Sequence, residues 1–138
     1  MKDEERKAEE ERLEKEKEEA EAKEKAEQEK KEKQGYETGI TYNQLARTPD
    51  DYIGEKVKFK GEVVQVLEGE GVYNIRLAVG GNYDNIIYII GETSITDQRI
   101  LENDYITVYG TSTGIYTYES TLGSSISIPS MIVDKVDM

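Results

Sequence analysis

The chemistry open to this chain is limited by the absence of both His and Cys. Without these residues, no catalytic pair based on His or Cys can be assembled, and disulfides and Cys-ligated zinc are excluded. Asp50 and Asp51 are adjacent carboxylates, but their position directly after Pro49 favours turn formation over acid–base work. The sequence therefore predicts no catalytic residue and no cofactor, and the chain is not expected to be an enzyme.

Oxygen ligands for a metal ion lie close together in one short segment. Asn82, Asp84 and Asn85 carry oxygens suitable for Ca²⁺, but the spacing of an EF-hand loop is missing. Asn beside Gly80 and Gly81 is typical of a turn. The sequence predicts a turn here and no metal site.

The tyrosines offer a different chemistry, which is recognition by stacking. The chain has ten of them, and their rings present a flat apolar face together with a hydroxyl group. A nearby Arg can lie over such a ring through a cation–π contact. Whether any of these side chains share a surface depends on the elements that position them.

An abrupt change of composition divides the chain into a charged tether, residues 1–34, and a domain, residues 35–138. The tether carries 15 acidic and 11 basic side chains, and its apolar content is little more than Leu13 and four alanines. Nearly all the Val, Ile, Tyr and Gly residues follow the boundary. The sequence predicts one small β-rich domain joined to a solvated spacer.

Residues 2–33 contain no Gly, Pro or β-branched residue, and Glu lies four residues before Lys at several places. Both features favour a solitary helix, although a disordered tether is an alternative. No heptad of apolar residues is present, so an oligomerising coiled coil is disfavoured and a monomer is expected. A helix that binds a partner remains a further alternative.

The domain shows the period-two alternation and turn signals of an all-β fold. A short helix capped by Thr41 is expected first, and Gly61 in mid-strand indicates a bend or bulge. A loop is predicted over 110–123, and a short helix or loop over 92–102. The predicted strands are 56–67, 72–79, 85–90, 105–109 and 126–136.

Five strands, with a long bent first strand and an insertion between the third and fourth, predict a five-stranded OB-fold Greek-key barrel. Alternation along each strand selects the side chains that should point into this barrel. The predicted core consists of Val57, Phe59, Val63, Ile75, Leu77, Ile106 and Val108.

Two segments resemble the tRNA-anti-like OB-fold family. The run from Tyr52 to Val63 is similar to its opening motif, Y-x-G-K-x-V-x-x-x-G-x-V, and the run from Asn103 to Gly110 is similar to its fourth strand, x-D-x-V-x-V-x-G. The resemblance covers about residues 40–137 and extends to small OB domains in lipoproteins and mobile-element proteins of Gram-positive bacteria.

This resemblance implies a location as well as a fold. Many members of the group are exported and held at the membrane by a lipidated Cys that precedes a charged linker. This chain has the linker and lacks the Cys. We expect an extracytoplasmic protein whose full-length form is anchored by an N-terminal lipid, with a cytoplasmic protein as the alternative.

OB folds bind ligands on the face of strands two and three and on the loops beside it. This mapping predicts the following ligand-binding residues: Asn74, Arg76, Tyr83, Tyr88, Tyr116 and Tyr118. The lysine stripe of Lys56, Lys58 and Lys60 is expected to be a solvated face that discourages strand pairing between molecules.

Charge guides the expected partner. The domain has seven basic and 15 acidic residues, a net charge of −8, and such a field repels phosphate backbones. Nucleic acid is therefore expected to be an unlikely partner. The sequence predicts a non-enzymatic OB-fold binding module whose ligand is a protein or a glycan. The alternative is a cytoplasmic or phage-related module that binds single-stranded nucleic acid.

Overall fold

The computed structural model describes residues 2–138 and divides the chain into two compact units, Met1–Gly35 and Tyr36–Met138. The first unit is the helix α1, Lys2–Gln34, about 50 Å long at the usual rise per residue. Leu13, its largest apolar side chain, is 58% exposed. Among the described residues, no helix combines the length and the apolar character needed to cross a bilayer.

The second unit begins with a short helix, α2, Tyr42–Arg47. The predicted cap at Thr41 is confirmed, because its hydroxyl accepts a hydrogen bond from the Gln44 backbone N–H while the Gln44 side chain accepts one from the Thr41 N–H. This reciprocal capping box satisfies backbone donors that the helix itself leaves unpaired. A 3₁₀ turn, Pro49–Tyr52, follows and leads into the barrel.

Five strands close into a barrel in the order β1–β2–β3–β5–β4, with β4 returning to β1. All neighbouring pairs are antiparallel except β3 and β5, which run parallel. A second 3₁₀ turn, Thr93–Ile95, lies between β3 and β4. This topology is that of the predicted OB fold. The strands are β1 Lys56–Gly69, β2 Val72–Val79, β3 Ile86–Glu92, β4 Tyr105–Glu119 and β5 Ser125–Asp137.

The first strand bends where it passes from one neighbour to the other. Gly61 pairs with Ile106 of β4 and with Val79 of β2, so the predicted bend at this glycine is confirmed. A register shift follows between Val63 and Gln65. One extra residue in a strand moves every following side chain to the opposite face of the sheet. Beyond the shift, Val66 therefore packs against the core, and Gln65 and Leu67 face outwards.

The barrel interior is filled by the side chains that alternation predicts. All seven predicted core residues are buried, and the core also takes in Tyr73, Leu45 of α2 and Ile100 of the segment before β4. The hydroxyl of Tyr73 accepts a hydrogen bond from the Ile100 backbone N–H, which satisfies its polar end. The segment between β3 and β4 is thus fixed to the barrel by both apolar and polar contacts.

The prediction of a loop over 110–123 is wrong for most of its length. Strand β4 continues to Glu119 and pairs with β5 up to that last residue, from Thr107 opposite Asp137 to Glu119 opposite Ser125. Its pairing with β1 stops at Thr111, so the distal halves of β4 and β5 form a two-stranded ribbon. The Thr and Tyr residues of this segment have high β-propensity, and here that preference prevails over the turn signals.

Tyr109 gives the barrel a pH dependence in the alkaline range. Burial, and then a 2.7 Å hydrogen bond from its hydroxyl to Asp137 Oδ2, raise the pKa of Tyr109 to about 12. The ordinary value is about 10. A raised pKa favours the neutral phenol in the folded state. This contribution to stability is therefore complete below about pH 10 and is lost between about pH 10 and 12.

We predict that the unfolding free energy will fall more steeply over that interval in the wild type than in Tyr109→Phe, which has no phenol to ionise. Urea denaturation at a series of pH values measures both curves. The comparison with Phe removes the shared effect of lysine titration. Parallel curves for the two proteins would contradict the assignment.

Candidate ligand-binding face

The candidate site is built on the outward face of β2 and β3. Along β2, outward Asn74 and Arg76 alternate with the buried Ile75 and Leu77. On β3, Tyr88 is the cross-strand partner of Arg76. Alternation thus places three of the predicted ligand-binding residues side by side on one surface.

The ribbon brings two more of the predicted residues to this surface. The Tyr116 ring stacks on Tyr88, with centroids 4.1 Å apart and planes inclined by 10°. Tyr118 follows at 6.0 Å from Tyr116, and the Arg76 guanidinium carbon lies 4.3 Å from the Tyr118 centroid. We call Arg76, Tyr88, Tyr116 and Tyr118 the aromatic stack. Its contacts connect the ribbon to both β2 and β3.

Polar contacts fix the end of the aromatic stack nearest the sheet. The Tyr88 hydroxyl donates a 2.7 Å hydrogen bond to Asn74 Oδ1, which orients both side chains. Burial, and then the neighbouring Tyr116, raise the pKa of Tyr88, while Arg76 opposes this shift. Tyr88 is consequently neutral at physiological pH, and Arg76 supplies the positive charge of the stack.

A cavity of about 300 Å³ opens beside the stack, and it is lined by Gln65, Leu67, Asn74, Arg76, Tyr88 and Tyr116. Gln65 and Leu67 were not among the ligand-binding residues predicted from the sequence. Uninterrupted alternation from Val63 would point both into the core, whereas the register shift in β1 turns them outwards. The signal that could have found them is the β1–β2 hairpin, in which Gln65 is paired with Arg76 and Leu67 with Asn74.

Tyr83 does not join the other predicted residues. It lies between β2 and β3, is 62% exposed, and donates a 2.9 Å hydrogen bond to Glu62 Oε2. Glu62 belongs to the part of β1 that still pairs with β4, opposite Tyr105. The nearby Asn82 side chain accepts from the Asp84 N–H, as expected for the predicted turn.

The lysine stripe also makes aromatic contacts. The Nζ atoms of Lys56, Lys58 and Lys60 lie 5.1, 5.6 and 5.6 Å from the ring centroids of Tyr36, Tyr109 and Tyr105, respectively. Lys58 also forms a 3.2 Å ion pair with Glu37. These lysines are exposed at β1, and each covers a ring with its stem and charge. No cluster of acidic groups able to hold a metal occurs among the described residues.

Solved structures similar to this chain include two aspartyl-tRNA synthetases. The match to the one from Leishmania major Friedlin has a TM-score of 0.52 and 14% identity, and covers 70% of this chain and 19% of that chain. The one from Entamoeba histolytica gives a TM-score of 0.49 and 14% identity, over 73% of this chain and 21% of that chain. The chain thus spans about a fifth of each synthetase. The match to the synthetase from Leishmania major Friedlin supports the OB fold.

A mitochondrial single-stranded DNA binding protein from S. cerevisiae also matches, with a TM-score of 0.42 and 13% identity over 61% of this chain and 91% of that chain. No protein-family model matches the chain, and no curated protein matches it.

The comparison corrects one expectation. Nucleic acid was expected to be an unlikely partner, and this is wrong, because the barrel shares its fold with part of the aspartyl-tRNA synthetase from Leishmania major Friedlin. Physically, a net charge of −8 is a sum over the whole domain. Stacking of nucleic-acid bases on aromatic side chains is instead a local interaction, which depends on the residues of one face. The domain has an OB fold, and its net charge alone does not exclude a nucleic-acid ligand.

Proposed function

We propose that this domain is a non-catalytic binding module that takes its ligand on the aromatic stack and the adjoining cavity. The observation that carries the proposal is the stacking of Tyr88, Tyr116 and Tyr118 on the outward face of β2 and β3. Rings held by neighbours lose little conformational freedom on binding, so their contact area is available at low entropic cost.

A protein or a glycan is the ligand class that we propose first. Tyr and Arg are enriched among the residues that dominate protein-binding energy, and both are present in the stack. Gln65 and Asn74 add amide groups beside the rings, at the cavity wall. Such polar groups fix the orientation of a ligand whose apolar surface covers the tyrosines.

Single-stranded nucleic acid is the second candidate. The contact of Arg76 with Tyr118, in line with two further rings, favours it, because single-strand binders combine stacking aromatics with cationic groups. The shared fold with an aspartyl-tRNA synthetase is consistent with this candidate.

We also propose that the full-length protein is a lipoprotein displayed outside the cytoplasmic membrane. The helix α1 would act as a charged spacer, since Leu13 is the one large apolar side chain in Lys2–Gln34. Incorporation of labelled palmitate into the full-length gene product tests this proposal, and a protein that takes up no label would overturn it.

The binding proposal is tested by presenting the domain with a glycan array, a peptide array and fluorescent oligo-dT and oligo-U. We predict that any ligand found will bind Tyr116→Ala and Arg76→Ala at least about five-fold more weakly, since each stacked group contributes about 1–3 kcal/mol. Tyr105→Ala is the matched control, because Tyr105 is a half-exposed tyrosine in the proximal part of β4. A ligand that binds all three variants equally well would refute the site.

A further inference from the structure

Two exposed isoleucines lie side by side where β3 meets β5. Ile90 is 39% exposed and Ile132 is 49% exposed, and they are cross-strand partners at the end of the short parallel pairing. Both side chains point away from the barrel, next to the buried Ile89 and Met131 that point inwards. Apolar β-branched side chains paired in this way form a surface that water does not solvate well.

A groove continues from these isoleucines along the two strands. The parallel pairing of β3 and β5 ends at Ile90 and Ile132, and beyond it an open volume of about 410 Å³ lies between the strands. Gly91 and Val133 form the floor of the groove, and both are buried. A side chain at Gly91 would overlap the Val133 side chain, so the glycine is required for the strands to approach closely here. We call this feature the β3–β5 groove; its other lining residues are Val72, Ile90, Glu92, Ile95, Ile132 and Asp134.

The charged residues that line the groove are both acidic. Glu92 lies at the end of β3 and Asp134 lies on β5, and both are exposed. Asp134 accepts a 3.0 Å hydrogen bond from the Tyr36 hydroxyl, and Glu92 accepts a 3.4 Å one from the Ser94 hydroxyl, so each carboxylate is oriented by a neighbour. An apolar floor with acidic edges is complementary to an apolar group that has positive charges beside it.

The groove and the aromatic stack belong to one outward surface. Ile90 is two residues from Tyr88 on the same face of β3, and its partner on β2 is Asn74, which lines the cavity beside the stack. A ligand that covers the stack can therefore extend over the isoleucines without leaving the sheet.

We propose that the β3–β5 groove receives an apolar side chain of an extended segment of a protein partner, with Lys or Arg two residues before or after that side chain. This inference rests on the proposed binding function and narrows its ligand class to a protein. In an extended segment, residues two positions apart face the same way, so one apolar residue enters the groove while basic residues two positions before and after it reach Glu92 and Asp134. Neither a glycan nor a nucleic acid offers this combination.

The test uses short fluorescein-labelled peptides and measures binding by fluorescence polarisation. The probe, called the Val–Lys peptide, has the sequence Lys-Ser-Val-Ser-Lys, in which Val and both Lys side chains share one face of an extended chain. The first comparison peptide, the Val–Glu peptide, is Glu-Ser-Val-Ser-Glu, and the second is Lys-Ser-Ser-Ser-Lys. We expect the Val–Lys peptide to bind at least about ten-fold more tightly than either comparison peptide, and added salt to weaken its binding. Equal binding of the three peptides, or no binding of the probe, would overturn the proposal.

Variants locate the contact. Ile132→Asn and Glu92→Lys are each expected to weaken probe binding at least about ten-fold, and Glu92→Lys should improve binding of the Val–Glu peptide. The matched control is Leu101→Asn, since Leu101 is 52% exposed and lies outside the groove. All three positions are exposed, and thermal melting checks that each variant remains folded.

The outcomes separate this inference from the binding proposal on which it rests. Loss of probe binding in Tyr116→Ala but not in Ile132→Asn would overturn the groove and leave the aromatic stack as the site. Loss in Ile132→Asn alone would support the groove and count against the stack. A dimer, seen by light scattering, that dissociates in Ile132→Asn would show that a second copy occupies the groove, and would overturn the proposal of a different protein partner.

Discussion

Replacing Gly61 by Val is expected to destabilise the barrel by at least about 3 kcal/mol, because the new side chain has no room. Gly61 is buried where β1 passes from β4 to β2, and a Cβ atom here would overlap the backbone carbonyl oxygen of Ala78. Backbone cannot move aside as a flexible side chain can. The strands would separate at a point where the Gly80 N–H donates a 2.8 Å hydrogen bond to the Lys60 carbonyl.

Urea denaturation of Gly61→Val and of the wild type measures this effect. Gly69→Val is the matched control on the same strand, since a Cβ atom at Gly69 would have nothing within 4 Å. We expect this control to remain within about 1 kcal/mol of the wild type. A Gly61→Val protein as stable as the control would mean that β1 does not approach β2 closely at the bend.

The fold could be predicted from the sequence because its determinants are local and repetitive. Val57 and Phe59 alternate with Lys56, Lys58 and Lys60, and this pattern alone sets one face of β1 towards the core. Gly61 interrupts the pattern at the position where the strand must bend. Helix α2 was predictable for the same reason, because Thr41 and Gln44 make a capping box within four residues.

The site was predicted less completely, since it depends on register. Asn74, Arg76 and Tyr88 follow from alternation on adjacent strands, and the structure places them together. Gln65 was missed because a single extra residue in β1 turns its side chain from the core to the outer face. No residue type in β1 marks the position of this register shift. Tyr83 was mapped to the same ligand-binding region of strands two and three and the loops beside them, yet its hydroxyl donates a hydrogen bond to Glu62.

The ribbon and the groove could not be predicted from the sequence, because both depend on pairing between strands that are distant in the chain. Gly110 and Gly114 are residues typical of a loop, whereas pairing with β5 keeps this part of β4 extended. The exposed pair of Ile90 and Ile132 depends on a parallel contact between strands distant in the sequence. In a single sequence, Ile90 reads as part of a continuous apolar strand and gives no sign of being half-exposed.

Phe59→Ala is expected to cost about 3–5 kcal/mol, as is usual for an aromatic side chain removed from a packed core. Phe59 is the only Phe of the chain and is 5% exposed. It lies on β1 opposite Val108 of β4, so its removal takes contacts from the antiparallel pairing before the bend. For a domain of this size, such a loss is a large fraction of the total stability.

Equilibrium urea unfolding, followed by far-ultraviolet circular dichroism, measures the loss. Tyr105→Ala provides the comparison, because it also truncates an aromatic residue at the β1–β4 pairing but one that is 50% exposed. Its contact with Lys60 makes it worth about 0.5–1 kcal/mol, so the two variants should differ by at least about 2 kcal/mol. If Phe59→Ala loses less than about 1 kcal/mol of unfolding free energy, β1 must present its other face to the barrel. A slip of one residue in the register of β1 would have this effect, because it would place the neighbouring lysines inside and Phe59 outside.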